Sequence, residues 1–199
     1  EKGEITSTDL SFQYSDDFSW LKYEGPTDPT FSGSLGNTFS YKNFRLNVYI
    51  TYSGGNVVRL DPVFSAKYTD LTATSREFKN RWMKPGDEEH TTIPTILSYR
   101  QYYNNTQLAT AYNAYNYSTE RVADGGFIRL KEISLNYDFP KKICSTLKLS
   151  SLSAKLQATN LCLLYADKKL NGQDPEFINS GGVASPVPRQ FTFTLRLGI

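Results

Sequence analysis

The only histidine, His90, follows Asp87, Glu88 and Glu89, and this is the first place to look for a general base or a metal ligand. A zinc site needs several nitrogen or sulfur donors, and a catalytic base needs a nucleophile or substrate group beside it. The cysteines, Cys144 and Cys162, form no C-x-x-C pair. The group therefore reads as a solvated acidic turn, with no metal site, no catalytic residue and no cofactor. The pairs Gly54-Gly55, Gly125-Gly126 and Gly181-Gly182 fall at strand–loop junctions. There glycine serves turns that need positive φ, so these are not phosphate loops.

Binding chemistry is better represented. Tyr99, Tyr102, Tyr103, Tyr112, Tyr115 and Tyr117 are interleaved with Asn and Gln, and Trp82 stands just before Pro85-Gly86. Flat aromatic faces with amides between them suit sugar rings or peptides. Trp82, Tyr99, Tyr102, Tyr103, Tyr112 and Tyr115 are the candidate contacts to a substrate or a covering partner. The plainer reading is that these rings pack the core of their own loop and that Trp82 anchors it.

Composition limits what can hold these residues. The chain has 199 residues, 14% of them aromatic, and a formal net charge of +2. Its basic residues are scattered, which argues against nucleic acid. No run of ~18 apolar residues is present, so no transmembrane helix is expected. A mean hydropathy of −0.48 is compatible with strands that alternate apolar and polar residues across a bilayer. Glu1-Lys2-Gly3 does not open a signal peptide, so either a signal has been removed or, the favoured expectation, the natural start of the chain lies far upstream.

Strand signals are clear. Phe44, Leu46, Val48, Ile50 and Tyr52 alternate with Arg45, Asn47, Tyr49 and Thr51. Ile133, Leu135, Tyr137 and Phe139 alternate with Ser134, Asn136 and Asp138. Leu152, Ala154, Leu156 and Ala158 alternate with Ser153, Lys155, Gln157 and Thr159. Phe191, Phe193, Leu195, Leu197 and Ile199 alternate with Thr192, Thr194, Arg196 and Gly198. A weaker strand spans Ser34 to Tyr41, and Thr8 to Tyr14 is a sixth candidate.

The links alternate in length. Lys42-Asn43 is a tight turn, and about Ser53 to Gly126 is very long. A short turn follows around Pro140 to Thr146, and then a long Gly-, Pro-, Asn- and Asp-rich link from about Ala166 to Pro188. Short turns on one side and long loops on the other are the layout of an up-and-down transmembrane β-barrel. Strands of ~9–13 residues suit a tilted bilayer crossing, and aromatics near strand ends (Tyr41, Phe44, Tyr137, Phe139, Phe191) suit interface girdles. A soluble β-sandwich that binds carbohydrate would also show one dry and one wet face per strand. It stays open at this point.

Five segments in order resemble the C-terminal region of SusC/RagA-type, TonB-linked outer-membrane transporters. They are Pro29 to Phe44 (PTFSGSLGNTFSYKNF), Arg81 to Asp87 (RWMKPGD), and Phe127 to Pro140 (FIRLKEISLNYDFP). The fourth is Ala158-Thr159-Asn160-Leu161 with Gly172-Gln173-Asp174-Pro175-Glu176, and the last is Pro188 to Leu195 (PRQFTFTL). Two departures are the final Ile199, where the family usually ends in Phe, and the apolar run Asn160 to Leu164.

The resemblance implies an all-β fold in which residues 1–199 are the C-terminal part of an antiparallel up-and-down barrel of about 22 strands. Five or six of them lie here, with extracellular loops at about 53–126 and 166–188. It implies a bacterial outer-membrane location, import of oligosaccharides or peptides, and no enzymatic role. The implied partners are a SusD-like lipoprotein, outer-membrane lipid, the plug domain and remaining strands, and TonB through an N-terminal region not in this sequence. Phe44, Leu46, Ile133, Leu135, Phe193 and Leu195 would face lipid. Arg45, Asn47, Asp138, Lys155 and Arg196 would face the lumen. Cys144 would sit in a periplasmic turn and Cys162 ~40 Å up the next strand, too far for a disulfide.

Overall fold

The computed structural model describes residues 16–62, 76–105, 107–178 and 188–199. The candidate strand at Thr8 to Tyr14 and the Gly181-Gly182 pair lie outside them. Seven strands are described: β1 (Phe31–Tyr41), β2 (Phe44–Gly54), β3 (Val57–Arg59), β4 (Val122–Asp124), β5 (Phe127–Asp138), β6 (Ser151–Ala166) and β7 (Gln190–Gly198). Four short helices lie in the links: α1 (Tyr99–Asn104), α2 (Gln107–Asn116), α3 (Lys141–Thr146) and α4 (Pro175–Ile178). No helix among the described residues is long and apolar enough to cross a membrane.

The chain divides into two compact units, Glu1–Gly25 with Val57–Ala123 and Pro26–Asn56 with Asp124–Ile199. The second holds a five-stranded sheet in the order β1-β2-β5-β6-β7, with every neighbour antiparallel. Strand order follows chain order, so the sheet is an up-and-down meander. Both long links leave it at the end that carries Ser53, Phe127 and Ala166, which are in register. The Lys42-Asn43 turn and the 139–150 connection close the other end. Lys42 takes φ 52 in that two-residue turn.

The register turns single-strand alternation into two continuous faces. Phe39, Leu46, Leu135, Leu156 and Phe193 form one row across all five strands. Asn37, Val48, Ile133, Ala158 and Phe191 form the next on the same face. Among the described residues the only other sheet is the β3–β4 pair. On the apolar face Phe39, Leu156, Phe193 and Leu195 are more than half exposed.

β1 begins three residues earlier than its alternation suggests, because glycines there are covered by cross-strand rings. A Cβ on Gly33 would lie 2.5 Å from the Tyr52 hydroxyl, one on Gly36 3.3 Å from the Tyr49 ring, and one on Gly54 2.7 Å from the Phe31 ring. Each ring belongs to the residue directly opposite. The aromatic side chain fills the surface that a glycine leaves bare.

Register shifts explain why β5 and β6 outrun their sequence signals. Tyr49 pairs with Glu132 but Ile50 pairs with Leu130, so Lys131 is one residue too many for β2. That extra residue switches parity. Ile128 and Leu130 join the face of Ile133 and Leu135, and Arg129 moves to the polar face opposite Thr51. The β5–β6 register shifts at the same level, between Leu130↔Cys162 and Glu132↔Thr159. Here Asn160 adopts φ 53, a left-handed conformation that Asn tolerates and branched residues do not. Its Oδ1 is buried with no hydrogen-bond partner among the described residues, so backbone tolerance is the use of an Asn here. Asn160→Gly should leave stability nearly unchanged, while Asn160→Val should cost about 1–2 kcal/mol, read by urea unfolding.

Candidate functional site

The expected lipid-facing residues Phe44, Leu46, Ile133, Leu135, Phe193 and Leu195 share one face of the sheet, and Arg45, Asn47, Asp138, Lys155 and Arg196 share the other. The polar face is stitched laterally. Thr38 Oγ1 donates to Asn47 Oδ1 at 2.8 Å, and Asn47 Nδ2 donates to Ser134 Oγ at 3.2 Å. The apolar face carries aromatic rows near both ends. At the tight-turn end Tyr41, Phe44 and Tyr137 are in register. The Phe44 and Tyr137 rings lie 4.6 Å apart and those of Tyr137 and Phe139 4.9 Å apart. At the other end stand Tyr52 and Tyr165, both in register with Ile128. Phe191 differs from expectation, since strand stagger sets it mid-sheet in the row of Val48 and Ile133.

From Phe44 to Tyr52 is eight residue steps along β2. At about 3.4 Å per residue that is about 27 Å along the strand. With the usual barrel tilt of about 40° it spans about 20 Å of depth, close to the ~25 Å apolar band of outer-membrane barrels.

The loop tyrosines divide by helical spacing. Ser98 starts α1 with a capping box: its Oγ accepts from Gln101 N at 3.2 Å, and Gln101 Oε1 accepts from Ser98 N at 3.0 Å. Tyr99 and Tyr103, four residues apart, stack at 5.8 Å and are 79% and 72% exposed, while Tyr102 is half-buried. Asn105 Oδ1 accepts from Gln107 N and caps α2. On α2, Tyr112 is 2% exposed and packs with Phe78 and Ile93, with Tyr115, Ile96 and Leu97 against them. Its hydroxyl donates to the Thr95 carbonyl. Tyr117 is exposed beneath the Arg59 guanidinium.

Burial pushes the Tyr112 phenol from 10.0 up to about 12. The folded state thus favours the neutral ring. Its stabilisation is complete below pH 10 and is lost as pH rises through about 12. In a spectrophotometric titration Tyr112 should ionise last, and Tyr112→Phe should remove that late step.

The RWMKPGD segment is built as a rivet. Trp82 Nε1 donates to Glu88 Oε2 at 2.9 Å, and the same oxygen accepts from Gly86 N at 2.8 Å. Asp87 Oδ2 accepts from the amides of Met83 and Lys84. Gly86 has φ 101, open to glycine and strained for other residues. Trp82 is half-buried, in the anchoring role its neighbours require. His90 is exposed just after this acidic turn.

Three charged residues were not marked by sequence alternation. Arg129, 5% exposed, places Nη2 2.5 and 2.6 Å from the two Asp174 carboxylate oxygens and 3.1 Å from Glu176 Oε2. Asp174 Oδ1 also accepts from Glu176 N, with Pro175 opening α4. Without the Lys131 bulge Arg129 would share the face of Leu135. An arginine on a strand's greasy side is the signal that alternation alone leaves unread. The thiols of Cys144, buried, and Cys162, exposed, are free.

No protein-family model and no curated protein sequence matches the chain. Solved structures do. A chain of the RagAB peptide importer in its open-open state aligns with TM-score 0.61 and 19% identity over 89% of this chain. A RagAB peptide transporter structure aligns with TM-score 0.60 and 20% identity, again over 89%. This chain spans 18% of the length of each. The likeness establishes the fold: an antiparallel, up-and-down sheet consistent with a segment of a β-barrel.

Proposed function

We propose that this chain forms part of the wall of a SusC/RagA-type, TonB-dependent transporter in the bacterial outer membrane. The transporter imports peptides or oligosaccharides beneath a SusD-like lipoprotein. The observation that carries this reading is the five-strand apolar face, uncovered and rimmed by aromatic rows, with a hydrogen-bonded polar face behind it. An open sheet in lipid would strand the backbone groups at the outer edges of β1 and β7. The remaining strands of the barrel pair with those edges, and the polar face borders the lumen and plug. The RagAB likeness favours peptides as cargo. Tyr99, Tyr103, Tyr102 and Trp82 are the aromatics through which the 53–126 loop would meet cargo or lid, while Tyr112 and Tyr115 pack with Phe78 and Ile93 in the loop's own core.

The test places tryptophan at Leu156 or at Gln157, adjacent residues on opposite faces, in the intact transporter reconstituted with brominated-chain lipids. The fluorescence added by Leu156→Trp should be quenched and that added by Gln157→Trp should not. Equal quenching of the two, or none at either, overturns the assignment.

A further inference from the structure

We infer that residues 167–178 form an inward-folded strap that narrows the lumen at the long-loop end of the wall, with Arg129 as the positioning residue that holds it there. The inference rests on the wall reading above, which makes the polar face the lumenal one. Arg129 lies on that face, opposite Thr51 on one side and Leu163 on the other. Its guanidinium sits 5.3 Å above the Phe127 ring and grips Asp174 and Glu176, which are 45 and 47 positions further along the chain. A strap that projected into solvent could not bring Asp174, 8% exposed at its side chain, to a buried arginine on the sheet.

The rest of the segment agrees. Asp167 Oδ2 accepts from Asp124 N at 2.8 Å, a second tether just before β5. Asn171 at φ 50 and Gly172 at φ 83 then turn the chain back, with Gln173 N donating to Leu170 O at 2.8 Å. Leu170, 1% exposed, and Pro175 are buried, so the segment has a packed underside. A cavity of about 660 Å³ lies among Leu163, Leu164, Tyr165, Lys168, Gly172 and Gln173. The ion pair is the link that ties this segment to the polar face of the sheet. A buried pair gains little stability over an apolar substitute, but losing one partner leaves an isolated charge and is strongly disfavoured.

The experiment uses the intact transporter in whole cells, with Cys162 replaced by Ser and a reporter cysteine at Thr51. A bulky polyethylene-glycol maleimide should label it slowly. Asp174→Asn should raise the rate at least about tenfold by freeing the strap. Glu176→Gln, at a carboxylate already half exposed, should raise it less and keeps the test available if Asp174→Asn fails to assemble. In parallel, trypsin should cut at Lys168–Lys169 faster in both variants. Faster cutting with unchanged Thr51 labelling overturns the strap's position over the lumen. No change in either overturns Arg129 as the positioning residue. A reporter at Leu135 that labels as readily as Thr51 overturns the wall reading itself, and the strap with it.

Discussion

Leu135→Arg should cost the assembled barrel about 2–4 kcal/mol, whereas Ser134→Arg, one residue away, should fall well short of that. Leu135 stands in the middle of the apolar row between Leu46 and Leu156. If that face meets hydrocarbon, an arginine there must snorkel or drag water inward, and the cost peaks near mid-bilayer. Ser134 faces the hydrogen-bonded polar side, where a guanidinium can be hydrated, although its near-complete burial adds a packing cost. The measurement is urea titration of folding into lipid vesicles, with outer-membrane abundance as a cellular check. Equal costs at the two sites would falsify the two-face assignment without reference to any transported substrate.

Glu77→Ala should unfold the loop unit, by about 3–5 kcal/mol. Arg121 is 2% exposed, with Nη2 on Glu77 Oε1 and on the Asp61 carbonyl and its guanidinium near the Tyr115 ring. Burial opposes its charge, but the hydrogen bond and charge of Glu77 outweigh that and hold its pKa above the usual arginine value. The guanidinium therefore cannot shed its proton when Glu77 is lost, and a bare charge remains inside. Pairing Arg121→Met with Glu77→Leu should recover most of the stability, since apolar replacements of buried ion pairs are often neutral. Amide hydrogen exchange across 107–123 reads both outcomes. Unchanged protection in Glu77→Ala would remove Arg121 from the centre of this unit.

Much of the sheet was legible because period-2 alternation has a direct physical cause: one face meets apolar surroundings, the other water. Phe44 to Tyr52 and Phe191 to Leu197 could be read residue by residue. The signal failed where geometry replaced it. The outer half of β5 was hidden by Lys131, and that of β6 by Asn160 and the Leu161-Cys162-Leu163-Leu164 run, since a bulge reverses parity without leaving a gap in composition. The start of β1 was hidden because Gly33 has no side chain and borrows Tyr52. The aromatic loop was legible as a set but not in its division. Only helical spacing and capping by Ser98 and Asn105 separate the outward pair Tyr99 and Tyr103 from inward Tyr112. Arg129 and Asp174 were quoted within motifs, but their meeting depends on a fold-back 45 positions away that no local pattern encodes.

Excise Lys131 on paper and the outer stretch reads Ile-Arg-Leu-Glu-Ile-Ser-Leu, with oily and hydrophilic letters in unbroken step. The native strand is that ideal phrase with one surplus syllable, swallowed by a kink shared with its neighbour. Losing this one residue keeps every later side chain on its proper side, whereas losing Ser134 would turn the rest of the strand inside out. A gene of this kind can change length by a single codon here, and its protein keeps the same sidedness.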